Sequence, residues 1–244
     1  LTETVAVVTG GAQGIGLAVG HQLGERGYHV AILDLNEETG KAAAQELNDK
    51  GASASFLHCD LTDYEQVQQA AGQIRAELSN PTVLANCAGY TVSQPFQDQN
   101  TETWRELVDV NLFSVLNTCH AFGAAWPEGA SVVNVASDAA RVGVAGQAVY
   151  AGAKAAVIGF SKSLAVELAR SKVRVNVVSP GSTNTPMLRG MFSEEELAKR
   201  VRIIPLGRFG EPEDVASVIT FLALDALHVT GQVVSVNGGA LRVG

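Results

Sequence analysis

Val5-Ala6-Val7-Val8-Thr9-Gly10-Gly11-Ala12-Gln13-Gly14-Ile15-Gly16 is the stretch that decides the fold of this chain. A continuously apolar run leads into a glycine-rich turn, and a helical pattern opens at Gly14. An unbroken apolar run is what a strand covered on both faces requires; a half-exposed strand alternates. The same succession repeats outward along the chain. Strands are predicted at residues 4–9, 28–33, 53–59, 82–86, 131–136, 173–179 and 232–236. Helical patterns fall at 14–26, 37–50, 63–78, 101–125, 150–170 and 212–224. Val132-Val133-Asn134-Val135 repeats the buried-strand signature.

Strand–helix alternation implies βαβ units, and right-handed crossovers then place helices on both faces of a parallel sheet. The expected fold is α/β, a Rossmann-like doubly wound parallel sheet of about seven strands. The 244 residues suit a single domain over residues 1–244. Residues 182–205 break the alternation and mix Gly, Pro and Met, so they are expected to form a substrate lid.

Composition narrows the function. Hydrophobic residues make up 46% and charged residues 17%, which suits a large core and excludes disorder. The net charge of −8 gives no general attraction to nucleic acid or acidic lipid. No apolar run is long enough to cross a bilayer. The start, Leu1-Thr2-Glu3-Thr4, has neither a basic region nor a signal-peptide core, so the expected location is cytoplasmic. Cys59, Cys87 and Cys119 are too few and too widely spaced for a disulfide framework or a zinc site. The histidines show no ligand spacing either, and no metal is expected.

The glycines of the first turn let backbone N–H groups approach a pyrophosphate, and the helix N-terminus adds partial positive charge. Gly10, Gln13, Gly14, Ile15 and Gly16 are therefore candidate cofactor residues. Asp34 ends the second strand about 20 residues on, where an acidic side chain binds the ribose hydroxyls of NAD. Leu35-Asn36-Glu37 and Gln13 offer no cation for a 2′-phosphate, so the expected cofactor is NAD(H).

Tyr150 and Lys154 are four residues apart and share a helix face. A free phenol has a pKa of about 10. A neighbouring ammonium and a positive nicotinamide would lower it toward the range useful for acid/base catalysis. Ser137 follows the fifth strand, at the sheet edge where ligands bind, and its hydroxyl can donate to a substrate oxygen. Asn111 lies inside a predicted helix, a poor place for Asn unless its side chain has a role.

Together these motifs resemble the short-chain dehydrogenase/reductase family over essentially the whole chain. The segment from Thr9 to Gly16 is similar to the family's cofactor motif. Asp60, followed by Leu61, stands where the family has an adenine-contacting Asp. Asn86-Cys87-Ala88-Gly89 resembles the family's Asn-Asn-Ala-Gly, with Cys87 in place of the second Asn. The resemblance implies that Tyr150 is the proton donor and acceptor and that Ser137 positions the substrate oxygen. It further implies that Lys154 binds the nicotinamide ribose and lowers the Tyr150 pKa, and that Asn111 holds a water in a proton relay. Pro180-Gly181 with Thr185 resembles the segment that holds the carboxamide, and Thr183 replaces a commoner aliphatic residue. A small-molecule alcohol or ketone is the implied substrate. The family is usually tetrameric through its long helices, so a homotetramer or homodimer is expected.

Ala136-Ser137-Asp138-Ala139-Ala140 and the Ser179–Thr185 segment look like dehydrogenases of ring alcohols bearing a carboxylate. Dihydrodihydroxybenzoate and hydroxycyclohexane-carboxyl thioester dehydrogenases are examples, although the lid is shorter than in the first group. Ile204-Pro205-Leu206-Gly207-Arg208 and Val236-Asn237-Gly238-Gly239 are common across the family, including 3-oxoacyl thioester and other carbonyl reductases. The thioester reductases mostly use NADPH, against which Asp34 argues. Arg141 and Arg189 are candidates to meet a substrate carboxylate or carrier phosphate. Met187 and Met191, with Leu188 and Phe192, are candidates for an apolar substrate cover. A nucleotide-sensing interaction module on the same fold is the non-enzymatic alternative; the Ser137, Tyr150 and Lys154 set disfavours it.

Overall fold

The computed structural model describes residues 4–242; residues 1–3 and 243–244, including most of the start read for targeting signals, lie outside them. The strands are β1 (Val5–Thr9), β2 (His29–Asp34), β3 (Ser53–His58), β4 (Val83–Asn86), β5 (Ser131–Val135), β6 (Arg174–Pro180) and β7 (Val233–Val236). They form a 7-stranded sheet in the order β3-β2-β1-β4-β5-β6-β7. Every pairing is parallel. The single doubly wound domain expected from the sequence is what forms. After β3 the chain crosses back to lay β4 beside β1, so the strand order reverses there. The carboxyl ends on either side of that reversal are where an open α/β sheet leaves a crevice.

The apolar strands are divided between two cores by the two-residue period of the strand. Val5 and Val7 enter one core and Ala6 and Val8 the other. The first is covered by α3 (Tyr64–Glu77), α5 (Ser114–Gly123) and α7 (Ala148–Leu168). The second is covered by α1 (Gly14–Glu25), α2 (Glu37–Asp49) and α10 (Pro212–Thr220). Burial on both faces is why β1 carries no polar alternation.

Within the first core lies a polar chain. Thr118 donates to Asn86 Oδ1 at 2.9 Å, and Asn86 Nδ2 donates to Asn134 Oδ1 at 2.8 Å. Asn134 Nδ2 donates to Ser161 Oγ at 2.9 Å. All four residues are essentially inaccessible to solvent. In a low-dielectric interior such groups are tolerated because each is partnered. The chain fixes α7 against β5 and β4, and so places the residues that α7 carries relative to those after β5.

The predicted helix over 101–125 forms in three parts. These are α4 (Thr101–Val108), a π turn (Asp109–Phe113) and α5. A π turn widens the hydrogen-bond step and often marks a site; this one contains Asn111. The α7 helix starts at Ala148, two residues before the expected Tyr150, and a short α6 (Ala139–Val142) precedes it. The lid is more regular than expected, with α8 (Pro186–Met191) and α9 (Glu194–Val201). Thr185 caps α8 ahead of Pro186, and Ser193 with Glu196 forms a reciprocal capping box on α9. Those stop-and-start signals are in the sequence. The helices are too short for periodicity to reveal.

Candidate active site

A cavity of about 680 Å³ runs along the carboxyl edge of the sheet, from the end of β2 to the lid. Gly10, Gln13, Gly14, Ile15 and Gly16 line one end. Gly10 has φ +63°, and a Cβ there would lie 2.7 Å from the Ala88 main chain. A Cβ on Gly16 would drive into the Gly10 carbonyl. These two glycines let the β1 turn, the β4 turn and α1 converge. Gln13 precedes α1 in extended conformation without a side-chain cap, and the first turn of α1 carries no acidic residue. The helix therefore presents unsatisfied N–H groups to the cavity, which fits a pyrophosphate.

Asp34 lines the same end. Its Oδ2 accepts from the Ala12 N–H at 3.1 Å and its Oδ1 from the Asn36 N–H at 3.1 Å. Each oxygen retains a lone pair for a ribose hydroxyl. Among the described residues lining the cavity the cations are Lys154 and Arg200, and neither stands on this turn. Asp60 and Leu61 line the wall too, with Thr62 donating from both N and Oγ1 to Asp60 Oδ1. Ala88 and Gly89 line it after β4. The Cys87 and Ala88 N–H groups are held by the buried Thr9 hydroxyl at 3.1 and 3.3 Å, a positioning role the sequence did not suggest.

Two expected contacts are not formed by side chains. Asn86 does not line the cavity; its amide belongs to the polar chain described above. Asn111 also lies behind the wall and is wholly buried. Its Nδ2 donates to the Tyr90 and Leu107 carbonyls at 2.7 and 2.8 Å, and its Oδ1 accepts from the Tyr90 N–H at 3.2 Å. The Asn111 side chain thus pins the loop after β4 and leaves no amide N–H for a water.

Ser137, Tyr150 and Lys154 come together on the cavity wall. The Ser137 hydroxyl and the Tyr150 phenol share a hydrogen bond. Lys154 is buried, and its Nζ donates to the Val135 carbonyl at 2.9 Å. Burial lowers its pKa to about 8, slightly opposed by Cys87. The tuning of Tyr150 differs from expectation. Burial pushes the phenol above its ordinary range, and the hydrogen bond with Ser137 pulls it back only in part.

Asp138, in the turn that carries Ser137, has a structural role that the sequence pattern does not reveal. It is buried, and Oδ1 accepts from the Ser179 and Ser235 hydroxyls at 2.8 and 3.1 Å. Its Oδ2 accepts from Asn237 Nδ2. One carboxylate thus ties the Ser137 turn to β6, β7 and the chain's last turn. Pro180, Gly181, Thr183 and Thr185 line the cavity where β6 ends. Gly181 lies against Asn237, where a Cβ would come to 2.8 Å.

At the lid end Met187, Leu188, Met191 and Phe192 line the cavity. The two arginines proposed for substrate do not. Arg141 Nη1 donates to Ser235 Oγ at 2.6 Å, and the residue lies behind the wall. Arg189 Nε donates to Asn184 Oδ1 at 2.7 Å, outside the cavity. The lid arginine on the wall is Arg200, which sequence reading did not single out. Among the described residues no group of His, Cys, Asp and Glu could hold a metal ion. Among them, too, no helix is long and apolar enough to cross a membrane.

The family model described as enoyl-(acyl carrier protein) reductase matches residues 10–240. The 3-oxoacyl-[acyl-carrier-protein] reductase FabG of Chlamydia muridarum is 38% identical, over 98% of this chain and 98% of its own. Carbonyl reductase family member 4 of Xenopus tropicalis is 39% identical, over 96% and 97%. An actinorhodin polyketide ketoreductase solved with NADPH superposes with a TM-score of 0.91 at 30% identity, covering 98% of this chain and 97% of that one. These relatives fall on the reductase side of the substrate readings, and none carries a ring-alcohol dehydrogenase name.

Proposed function

The chain belongs to the short-chain dehydrogenase/reductase family of oxidoreductases, and from that premise we propose that it is NAD(H)-dependent and interconverts a secondary alcohol and a ketone with Tyr150 as acid/base. The observation that carries the proposal is one cavity with Asp34 at one end and the Ser137–Tyr150–Lys154 set further along it. When bound, the nicotinamide gives or takes the hydride. The chain's own residues manage the proton. Ser137 holds the reacting oxygen beside the Tyr150 phenol, which donates its proton as a carbonyl becomes an alcohol and takes one back in reverse. A positive ring nearby would offset the burial that raises the phenol's pKa. Lys154, whose ammonium donates to the Val135 carbonyl, would hold the nicotinamide ribose. A relay water would be held by main-chain groups of the π turn, since the Asn111 amide is engaged.

Asp34 supports NAD over NADP by repelling a 2′-phosphate. The NADPH of the solved ketoreductase favours the rival reading, a 3-oxoacyl-thioester or other carbonyl reductase using NADPH. Phe113, in the π turn, and Val166, on α7, stand exposed, which supports an oligomer built on those faces. Turnover with NAD(H) of a panel of secondary alcohols, cyclic ketones and 3-oxoacyl thioesters tests the proposal. Activity on at least one member, lost in Tyr150→Phe, is expected. No turnover of any member, with cofactor still bound, would instead favour a nucleotide-sensing module.

A further inference from the structure

The cavity's charges are unevenly placed. Asp34 and Asp60 stand at the nucleotide end, and Asp138 is held by three side-chain donors. Of the cations, Lys154 donates to the Val135 carbonyl. That leaves Arg200, on the last turn of α9, as the charge in the lid wall. It stands among Met187, Met191, Phe192 and Ile203, all apolar. Two other basic residues on the lid have partners: Lys199 pairs with Glu195 at 2.7 Å, and Arg189 bonds Asn184. The Arg200 side chain makes no ion pair or hydrogen bond among the described residues. Glu196, one turn earlier, feels its charge but has its carboxylate engaged by the Ser193 N–H and hydroxyl.

What holds Arg200 is an aromatic ring. Its Cζ lies 3.7 Å from the Phe192 centroid. So close an approach needs the guanidinium face against the ring, which leaves its N–H edge directed outward. A half-buried guanidinium fixed by its face, with its donor edge free, suits bidentate recognition of a planar or tetrahedral anion.

We propose that Arg200, held on Phe192, is the specificity residue that binds an anionic group of the substrate, a carboxylate or a phosphate ester, beneath the lid. The inference rests on the oxidoreductase reading for its turnover assay. A protein with a net charge of −8 repels such substrates in general, so a local cation is what would select them. It also moves the anion contact from Arg141 and Arg189, which face elsewhere, to the lid arginine that reaches the cavity.

The test compares matched substrates in wild type, Arg200→Gln and Arg200→Lys. One pair is a ketone carrying a carboxylate and its methyl ester. The other is a 3-oxoacyl pantetheine thioester with and without the terminal phosphate. A charge-assisted bidentate contact is worth roughly 10- to 100-fold in affinity. Arg200→Gln is expected to lose that factor in kcat/KM, mostly through KM, on the anionic member of one pair. The neutral member should keep its rate, and Arg200→Lys should fall between. The pair that responds identifies the anion. Equal losses on charged and neutral members, or no loss on either, would overturn the proposal. Calorimetric binding of both members of each pair in the presence of NAD, with which a ketone is not reduced, gives a readout that does not need turnover. Tighter binding of the charged member of either pair to wild type but not to Arg200→Gln supports the anion site even if no ketone is reduced. Equal binding of charged and neutral members in both pairs by wild type overturns it even if ketones are reduced.

Discussion

The two ends of the cavity are built from different material. At the nucleotide end the wall is largely backbone, shaped by Gly10 and Gly16 and by the uncapped start of α1. At the lid end it is side chain, from Met187 and Met191 on α8, Phe192 just after it and Arg200 on α9. A backbone wall constrains residue identity tightly, because a single Cβ collides with the opposite main chain. A side-chain wall constrains it loosely, because only which face of a short helix points inward matters. The first end therefore recognises a cofactor part shared by many enzymes, and the second is where substrate choice can vary.

The same contrast explains what was legible in the sequence. The buried β1 run, the glycine turn, Asp34 and the Tyr150–Lys154 spacing are local patterns; the first forms the strand that leads to the cavity, and the others stand on its wall. The lid arginines were not legible, because Arg189 and Arg200 look alike until the turns of α8 and α9 are set by their caps. Asn86 and Asn111 were assigned to ligands on their motif positions, yet their amides serve the interior. A motif position fixes where a residue stands, while its hydrogen bonds depend on partners distant in sequence, such as Thr118, Asn134 and Tyr90. The burial that raises the Tyr150 pKa likewise depends on residues distant in sequence. Helical spacing brings Lys154 near, but its ammonium donates to the Val135 carbonyl on another element.

The largest effect should come where the two ends meet. Tyr150→Phe removes the proton-carrying oxygen with little change in volume, and general acid/base catalysis is typically worth about 10²–10⁴-fold. Turnover should fall by at least that range while cofactor binding, followed by fluorescence titration, stays near wild type. Retention of more than about a tenth of the activity, far outside that range, would remove Tyr150 from its role.

Next is Asp34→Ala, which should alter the nucleotide end alone. Its carboxylate makes charge-assisted bonds to ribose hydroxyls. Its loss should weaken NAD, admit NADP and shrink the preference by about tenfold or more, given the size of close charge repulsion. Substrate KM should not change. A variant whose cofactor ratio matches wild type would break the division of labour between the two ends.

Lys154→Met should touch both the ribose and the phenol. Burial lowers the Lys154 pKa to about 8, so below that pH it is charged. Removing that charge leaves the tyrosinate less favoured, so the rise of alcohol oxidation with pH should shift to higher pH, and NAD affinity should drop. An unshifted profile with unchanged affinity would contradict the role.

The smallest catalytic effect belongs to the scaffold beneath both ends. Thr118→Val removes the donor to Asn86 Oδ1 in a buried chain, which should cost about 1–3 kcal/mol of stability. Thermal or denaturant unfolding measures it. Activity per folded molecule should persist, because the change lies behind the cavity wall.

The most direct measurement is kcat/KM of the wild type with NAD and with NADP on one substrate at one ionic strength. Unit charges about 4 Å apart near a protein surface interact by roughly 4 kcal/mol at an effective dielectric of about 20. Screening and loop movement reduce that, and about 2.7 kcal/mol still corresponds to a hundredfold ratio. The account predicts that NAD is favoured by on the order of a hundredfold or more. Equal or better efficiency with NADP would contradict the reading of Asp34 and place the chain with the NADPH-using reductases.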